Sequence, residues 1–277
     1  MSKGVSLHIG LNAVDPAAYG GWDGALAACE FDAKDMIAIA EKKRYSSSSL
    51  LLTKSATAAN VKAGILTAAK SLRAGDMFLL TYSGHGGQVP DTNGDEEKDR
   101  KDETWVLYDR MLVDDELFDL WSKFARGVRI LVLSDSCHSG SVVRRMPWFL
   151  NMSATAREEH RGLPKFIPPD VARHVYAASR KTYDDIQKRL KSGEKVALKA
   201  GVLLISGCQD NQVSYDGPRN GKFTAALRKA WNSGRFKGDY KTFHSRILAA
   251  IEEYQSPNYF KAGAVTPAFE KQVPFTI

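Results

Sequence analysis

Three short runs of uninterrupted apolar residues constrain the fold of this chain most. They lie at 77–82 (MFLLTY), 129–133 (RILVL) and 202–206 (VLLIS). Runs of this length without polar alternation are typical of strands that are covered on both faces, as in a largely parallel sheet. The chain is therefore predicted to form an α/β sandwich with helices on both sides of one sheet.

The segments around these runs supply the other predicted elements. We expect strands at 5–11 and 48–52, and helices at 24–42, 56–72, 223–231 and 240–254. The first helix places apolar residues on one face, at Leu26, Cys29, Ala33, Met36, Ile37 and Ala40. At 277 residues the chain fits one large α/β domain.

Two stretches do not fit regular elements. Residues 84–103 are glycine-rich and then highly charged, which predicts a loop. Residues 142–200 interrupt the strand pattern, with four prolines in the first half and a basic helical stretch in the second; inserts of this length are usually functional or flexible. We therefore divide the domain into a first part (1–141), a flexible basic insert (142–200) and a last part (201–277).

The charge balance raises the question of an acidic partner. The net charge is +7 and the sequence pI is about 9.2, which is compatible with nucleic-acid binding. The basic residues are scattered, however, and where they are densest they are mixed with acidic ones, so a solvated basic surface is favoured. Residues 1–12 lack the organisation of a secretory signal, and no stretch of about 18 apolar residues follows. The three cysteines lack disulfide or metal spacing, so a cytoplasmic protein with no membrane contact is predicted.

Two polar clusters follow apolar strands, YSGHGG at 82–87 and SDSCHSGS at 134–141. Ligands of open α/β sheets bind beyond the carboxyl ends of the strands, so His85 and Cys137 are expected to be neighbours. A thiol with a pKa of about 8.5 needs a base to attack at neutral pH, and a histidine can serve as that base. The amides of Gly86 and Cys137 could face a developing oxyanion.

Together the two clusters resemble those of caspase-like cysteine peptidases, within them the metacaspases and the bacterial orthocaspases. Residues 202–227 (VLLISGCQDNQVSYDGPRNGKFTAAL) are similar to the small-subunit strand, specificity loop and following helix of that family. The resemblance implies a caspase-like α-β-α fold, Cys137 as the nucleophile and His85 as its base, with no cofactor in the chemistry. His138 and Cys208 are the nearest alternative residues and are interpreted as structural.

The resemblance also implies a pocket for a basic substrate residue. Asp135 and Asp32 match its two acidic residues, and Ser83 matches a serine that lines it. Taken without the family, Asp32 would be interpreted as a solvated helix residue. The family implies cleavage of proteins or peptides after Arg or Lys, and a monomer. Arg is expected to be preferred for its fork of donors. The basic residues of the flexible insert predict self-processing within 142–200.

The acidic stretch 91–103 suggests calcium but fails as an EF-hand, because Glu96 replaces the glycine and Asp102 the final glutamate. In the resembling family a different calcium site would use Asp102 or Asp99 with Asp114, Asp115 and an aspartate at the position of Arg144. Because Arg144 is a cation, activity without calcium is predicted. The alternative to a calcium site is that the acidic stretch is a solvated loop. Two other functions stay open: a catalytically silent binding module of the same fold, and a nucleic-acid-binding protein.

Overall fold

The computed structural model describes residues 2–94, 100–137, 163–190, 196–207, 214–251 and 257–277. In chain order its strands are β1 (Gly4–Gly10), β2 (Ser47–Leu52), β3 (Met77–Ser83), β4 (Gly86–Pro90), β5 (Lys101–Val106), β6 (Met111–Val113), β7 (Arg129–Asp135), β8 (Gly201–Ser206) and β9 (Asn258–Gly263). The α-helices are α1 (Cys29–Lys42), α2 (Ala58–Ser71), α3 (Asp114–Ser122), α4 (Pro169–Ala178), α5 (Arg180–Arg189), α6 (Lys222–Trp231), α7 (Tyr240–Leu248) and α8 (Pro267–Lys271).

Six strands form the central sheet, in the order β2-β1-β3-β7-β8-β9. The first five are parallel and β9 pairs antiparallel with β8. The predicted α/β sandwich with a mainly parallel sheet is confirmed, since the three continuous apolar runs are the adjacent strands β3, β7 and β8. Their carboxyl ends meet at one edge, where Ser83 is paired with Asp135 in register.

Side chains of the central strands alternate between two apolar layers. On one face Phe78 and Leu80 pack with residues of α2 and α3. On the other face Met77 and Leu79 pack with residues of α1, α6 and α7. Because both faces are covered, the strands carry no polar alternation, which is why they read as continuous apolar runs.

The structure corrects the predicted elements in three places. The first helix begins at Cys29 instead of 24, because the amides of Ala27 and Ala28 donate to the Asp216 carboxylate and Gly24 has a left-handed backbone (φ +59). The expected loop at 84–103 contains β4 and β5, which form a three-stranded antiparallel sheet with β6. The last predicted helix ends at Leu248, and part of its expected extension lies outside the described residues.

Residues 163–190, within the insert, pack against this small sheet. After an extended stretch at 163–167, helices α4 and α5 contribute Ala172, Val175 and Tyr183 to a third apolar cluster with residues of β4, β5 and β6. The basic helical stretch expected in the second half of the insert is thus α4 and α5. Within the part of the chain that the structure describes, no helix is long and apolar enough to cross a bilayer.

Candidate active site

His85 lies two residues beyond β3, immediately before β4, and is buried at the carboxyl edge of the central sheet. Its Nε2 is 3.0 Å from the carbonyl oxygen of Gly24, and the ring packs against Trp22 with centroids 4.8 Å apart. A carbonyl can only accept, so Nε2 carries the proton and a neutral ring has its lone pair on Nδ1. Burial lowers the pKa of His85 to about 4, so the ring is neutral at pH 7.

Nδ1 of His85 is buried and has no hydrogen-bond partner among the described residues. The hydroxyl of Tyr82 donates to the His85 carbonyl oxygen over 2.6 Å and so holds the backbone at this position. A buried acceptor without a donor is uncommon, and it is available to take a proton from a neighbouring group. The sequence did not indicate Gly24 or Trp22, because their proximity to His85 depends on the tertiary fold.

Cys137 lies two residues beyond β7 and is fully buried. A Cβ on Gly86 would lie 1.8 Å from the Cys137 carbonyl oxygen, so only glycine allows the two backbones to approach this closely. The Cys137 Sγ accepts a hydrogen bond from the Ser214 amide. His85 and Cys137, predicted to be neighbours, thus end adjacent parallel strands at the same edge.

The amides of Gly86 and Cys137 point to one acceptor. Both donate to the carbonyl oxygen of Lys165, over 3.0 Å and 3.1 Å. Two backbone donors that converge on one oxygen are the arrangement that stabilises an oxyanion. The acceptor is supplied by the insert, and the sequence did not indicate it.

Asp32, Asp135 and Ser83 line one pocket. The Ser83 hydroxyl donates to Asp32 Oδ2 over 2.7 Å. Asp32 lies on the buried face of α1 and is 1% exposed, so the alternative of a solvated helix residue is wrong. Burial raises the pKa of Asp32 to about 6, opposed by the charge of Lys165.

The ammonium of Lys165 occupies this pocket and is 0% exposed. Its Nζ lies 3.1 Å from Asp32, 3.1 Å from Asp135 and 2.9 Å from Ser83, which gives each of its three N–H donors an acceptor. Burial alone would lower the pKa of Lys165, but the nearby carboxylates, Asp135 foremost, hold it well above its ordinary value.

The loop between β8 and α6, together with the first turn of α6, holds both carboxylates in place. The Ser214 hydroxyl and the Thr224 hydroxyl donate to Asp135, while the Asn220 side chain and the Gly221 amide donate to Asp32. A Cβ on Gly221 would lie 2.2 Å from the Lys165 ammonium, so a side chain there would close the pocket. Sequence similarity had marked this stretch as a specificity loop, without assigning these four residues.

Of the acidic residues of the predicted calcium site, Asp102 lies in β5, and Asp114 and Asp115 begin α3. Burial raises the pKa of Asp114, and the charges of Glu103, Asp102 and Asp115 raise it further. Oxygen donors of this kind suit calcium, but within the described ranges no three or more His, Cys, Asp or Glu side chains are arranged to hold a metal ion. Asp99, Arg144, His138 and Cys208 lie outside the described residues.

Comparison with known proteins agrees with this architecture. Residues 7–275 match the family model described as Caspase domain. Metacaspase-1 of Ajellomyces capsulatus is 30% identical over 73% of this chain and 61% of its own length, and Metacaspase-1A of Neurospora crassa is 30% identical over 92% and 60%. The chain thus spans less than two thirds of these relatives.

Solved structures extend the comparison. A protein of Geobacter sulfurreducens superposes with a TM-score of 0.87 at 50% identity, covering 99% of this chain and 98% of its own. Caspase-1 of Spodoptera frugiperda has a TM-score of 0.53 at 9% identity, covering 95% of this chain and 86% of its own, and shares the fold. The chain therefore belongs to the caspase-like cysteine peptidase family, of the metacaspase type.

Proposed function

We propose that this protein is a cysteine endopeptidase that cuts proteins or peptides after a basic residue. The observation that carries the proposal is Lys165, whose buried ammonium lies between Asp32 and Asp135 while its carbonyl oxygen accepts the amides of Gly86 and Cys137. The basic side chain of Lys165 and the carbonyl group of the same residue are thus held together beside the Cys137 thiol. A peptidase with a basic P1 preference requires this combination.

The chemistry begins with the transfer of the Cys137 proton to Nδ1 of His85, whose orientation the Gly24 carbonyl maintains. The thiolate attacks the scissile carbonyl carbon, and the oxyanion is stabilised by the amides of Gly86 and Cys137. The C–N bond then breaks as His85 donates its proton to the leaving amine. Water, deprotonated by His85, hydrolyses the thioester and regenerates the thiol.

Two carboxylates in one pocket explain the proposed specificity. Asp32 and Asp135 repel each other unless a cation lies between them, so a P1 arginine or lysine gains from both charges. An aspartate at P1 would add a third negative charge and is expected to be rejected. Arginine is predicted to be preferred over lysine because its planar fork can meet both carboxylates.

The proposal includes processing within 142–200 and action as a soluble cytoplasmic monomer without a catalytic cofactor. The test is hydrolysis of matched fluorogenic peptides that end in Arg, Lys, Asp or Leu, by wild type and by Cys137→Ala. We expect turnover of the Arg and Lys peptides by wild type alone. A folded wild-type protein that binds basic peptides without turnover would instead indicate a silent binding module. Salt-sensitive retention of DNA in a gel shift would indicate a nucleic-acid-binding protein.

A further inference from the structure

A cleft opens at the edge of the central sheet opposite the candidate active site, where the parallel strands begin. This amino-edge cleft lies between the starts of β7 and β8 and helix α8, and most of its wall is apolar. Its volume of about 410 Å³ is in the range of small-molecule sites. The residues that shape it include Gly75, Val128, Arg129, Ala264, Phe269 and Gln272.

Among the described residues that line the amino-edge cleft, Arg129 carries the one charged side chain. It is half-buried, and its guanidinium donates to the side-chain oxygen of Gln272 and to the Gly75 carbonyl oxygen. Gln272 is fixed in turn, because its Nε2 donates to the Thr276 carbonyl over 2.9 Å. An arginine has five N–H donors, so three donors of a positioned guanidinium have no partner among the described residues.

The Arg129 guanidinium also lacks an acidic partner in the part of the chain that the structure describes. No carboxylate there lies within 4.0 Å of it. Asp76 is the acidic residue nearby, but its two oxygens accept the amides of Lys3 and Arg73 over 2.9 Å and 2.8 Å. A half-buried cation without a counter-charge gains from an anion that reaches it, and a guanidinium that is already held in place loses little freedom on binding one.

We propose that the amino-edge cleft binds a small carboxylate with an apolar body. The carboxylate pairs with the fork of Arg129, whose geometry suits two parallel N–H···O bonds, and the body packs against Phe269 and Val128. Inorganic phosphate is disfavoured, because the described lining offers one cation and otherwise mainly apolar groups. This site goes beyond the proposed peptidase function and lies at the far edge of the sheet from Cys137, so each can be tested without the other.

The first experiment titrates hydrocinnamate into the full chain and follows the amide signals by NMR, with Cys137→Ala preventing self-cleavage. We expect saturable binding of one molecule with a Kd of about 1 mM or tighter. Hydrocinnamyl alcohol has the same body without the charge and should bind about tenfold more weakly, because hydrogen bonds between charged groups are the stronger ones. Failure of both hydrocinnamate and hexanoate to bind at about 10 mM, or equal affinity for the acid and the alcohol, would overturn the proposal.

The same spectra locate the bound acid. The amide signals of Val128, Gly201 and Phe269 should shift during the titration, whereas those of His85 and Gly86 at the opposite edge of the sheet should not. Shifts confined to the candidate active site would assign the binding elsewhere and overturn the proposal.

The end of a protein chain presents the same chemistry as a small carboxylate. A dipeptide with a free carboxylate on a terminal phenylalanine is the probe for that source. We expect it to bind more weakly than hydrocinnamate, and tighter binding would overturn the assignment to a small molecule.

Two variants test the role of Arg129. Arg129→Gln should weaken hydrocinnamate binding about tenfold or more, to the level of the alcohol. Arg126→Gln is the matched control, since it removes an exposed arginine three residues earlier and should bind as the parent does. Ala268→Phe guards against misfolding of Arg129→Gln, because it leaves Arg129 and its partners unchanged and places a ring in the cleft that Ala268 lines, so it should also lose binding. Parent-like affinity of either variant, with an unchanged circular dichroism spectrum, would overturn the proposal.

Discussion

At the scale of single residues, His85 and Cys137 divide the proposed chemistry between a base and a nucleophile. We expect Cys137→Ala and His85→Ala to lose turnover by about 10⁴-fold or more, because the members of a catalytic unit fail together. Both variants should remain folded by circular dichroism. The controls are Cys208→Ala and His138→Ala, which should retain activity. Near-normal turnover by either dyad variant would contradict the mechanism.

The pocket can be tested independently of the nucleophile. Leaving a buried charge without its partner costs about 3 to 5 kcal/mol, so Asp32→Ala and Asp135→Ala should each lower kcat/KM for an Arg peptide by several hundred-fold. Glu41→Ala is a suitable control, because Glu41 lies on the same helix and its side chain is exposed at the surface. Cleavage after Asp by wild type, or undiminished Arg cleavage by both pocket variants, would falsify the pocket assignment.

The pH profile separates the pocket from the base. Burial raises the pKa of Asp32 to about 6. Its carboxyl group is therefore negatively charged above pH 6, and this charge is lost by protonation as the pH falls through 6. The pKa of His85 is lowered to about 4 by burial, so this base stays neutral well below pH 6. For an Arg peptide, kcat/KM should therefore fall to half near pH 6, as measured between pH 4 and 8. A kcat/KM that stays constant down to about pH 4 would mean that His85 alone limits activity at low pH. In Asp32→Asn the fall of kcat/KM at low pH should move from about pH 6 towards pH 4.

At the scale of elements, the loop before α6 links the two halves of the chain. Asp216 accepts the amides of Ala27 and Ala28 and so determines where α1 begins. Hydrogen bonds to a charged acceptor are worth about 1.5 to 3 kcal/mol, so Asp216→Ala should lower the free energy of unfolding by about that amount per lost bond. Urea unfolding in a Cys137→Ala background, which prevents self-cleavage, is the measurement.

A matched substitution provides the control for this prediction. Asp239→Ala removes the N-cap of α7, a half-buried residue whose carboxylate accepts the Thr242 amide, and should cost only about 1 kcal/mol. If Asp216→Ala costs no more than Asp239→Ala, the Asp216 contacts do not stabilise the start of α1.

The elements also differ in how far sequence could predict them. Strands β3, β7 and β8 were predictable, because burial on both faces leaves a local record of continuous apolar residues. Strands β4 and β5 were not, because a glycine-rich run followed by charge reads locally as a loop. Their stability comes from pairing with each other and from packing against α4, contacts that no window of sequence contains.

At the scale of the whole molecule, the distribution of charged residues predicts whether activity depends on calcium. We expect activity to persist in excess chelator, because Arg144 stands where the resembling family supplies a carboxylate, and calcium affinity depends on the number of charged ligands. The measurement is Arg-peptide turnover with chelator and with added calcium. Silencing by chelator that calcium alone reverses would contradict this expectation and establish a calcium requirement despite Arg144.

The sequence by itself determined the α/β class, the two strand ends that carry His85 and Cys137, and the family to which the motifs belong. Short-range patterns suffice for these, since apolar runs and motif spacing are properties of contiguous residues. The tertiary structure alone decided that Gly24 orients His85, that Asp216 starts α1, and that Lys165 lies between Asp32 and Asp135. Each of these contacts joins residues far apart in the chain, and lysines along a basic insert look alike until the fold brings one of them against two buried carboxylates.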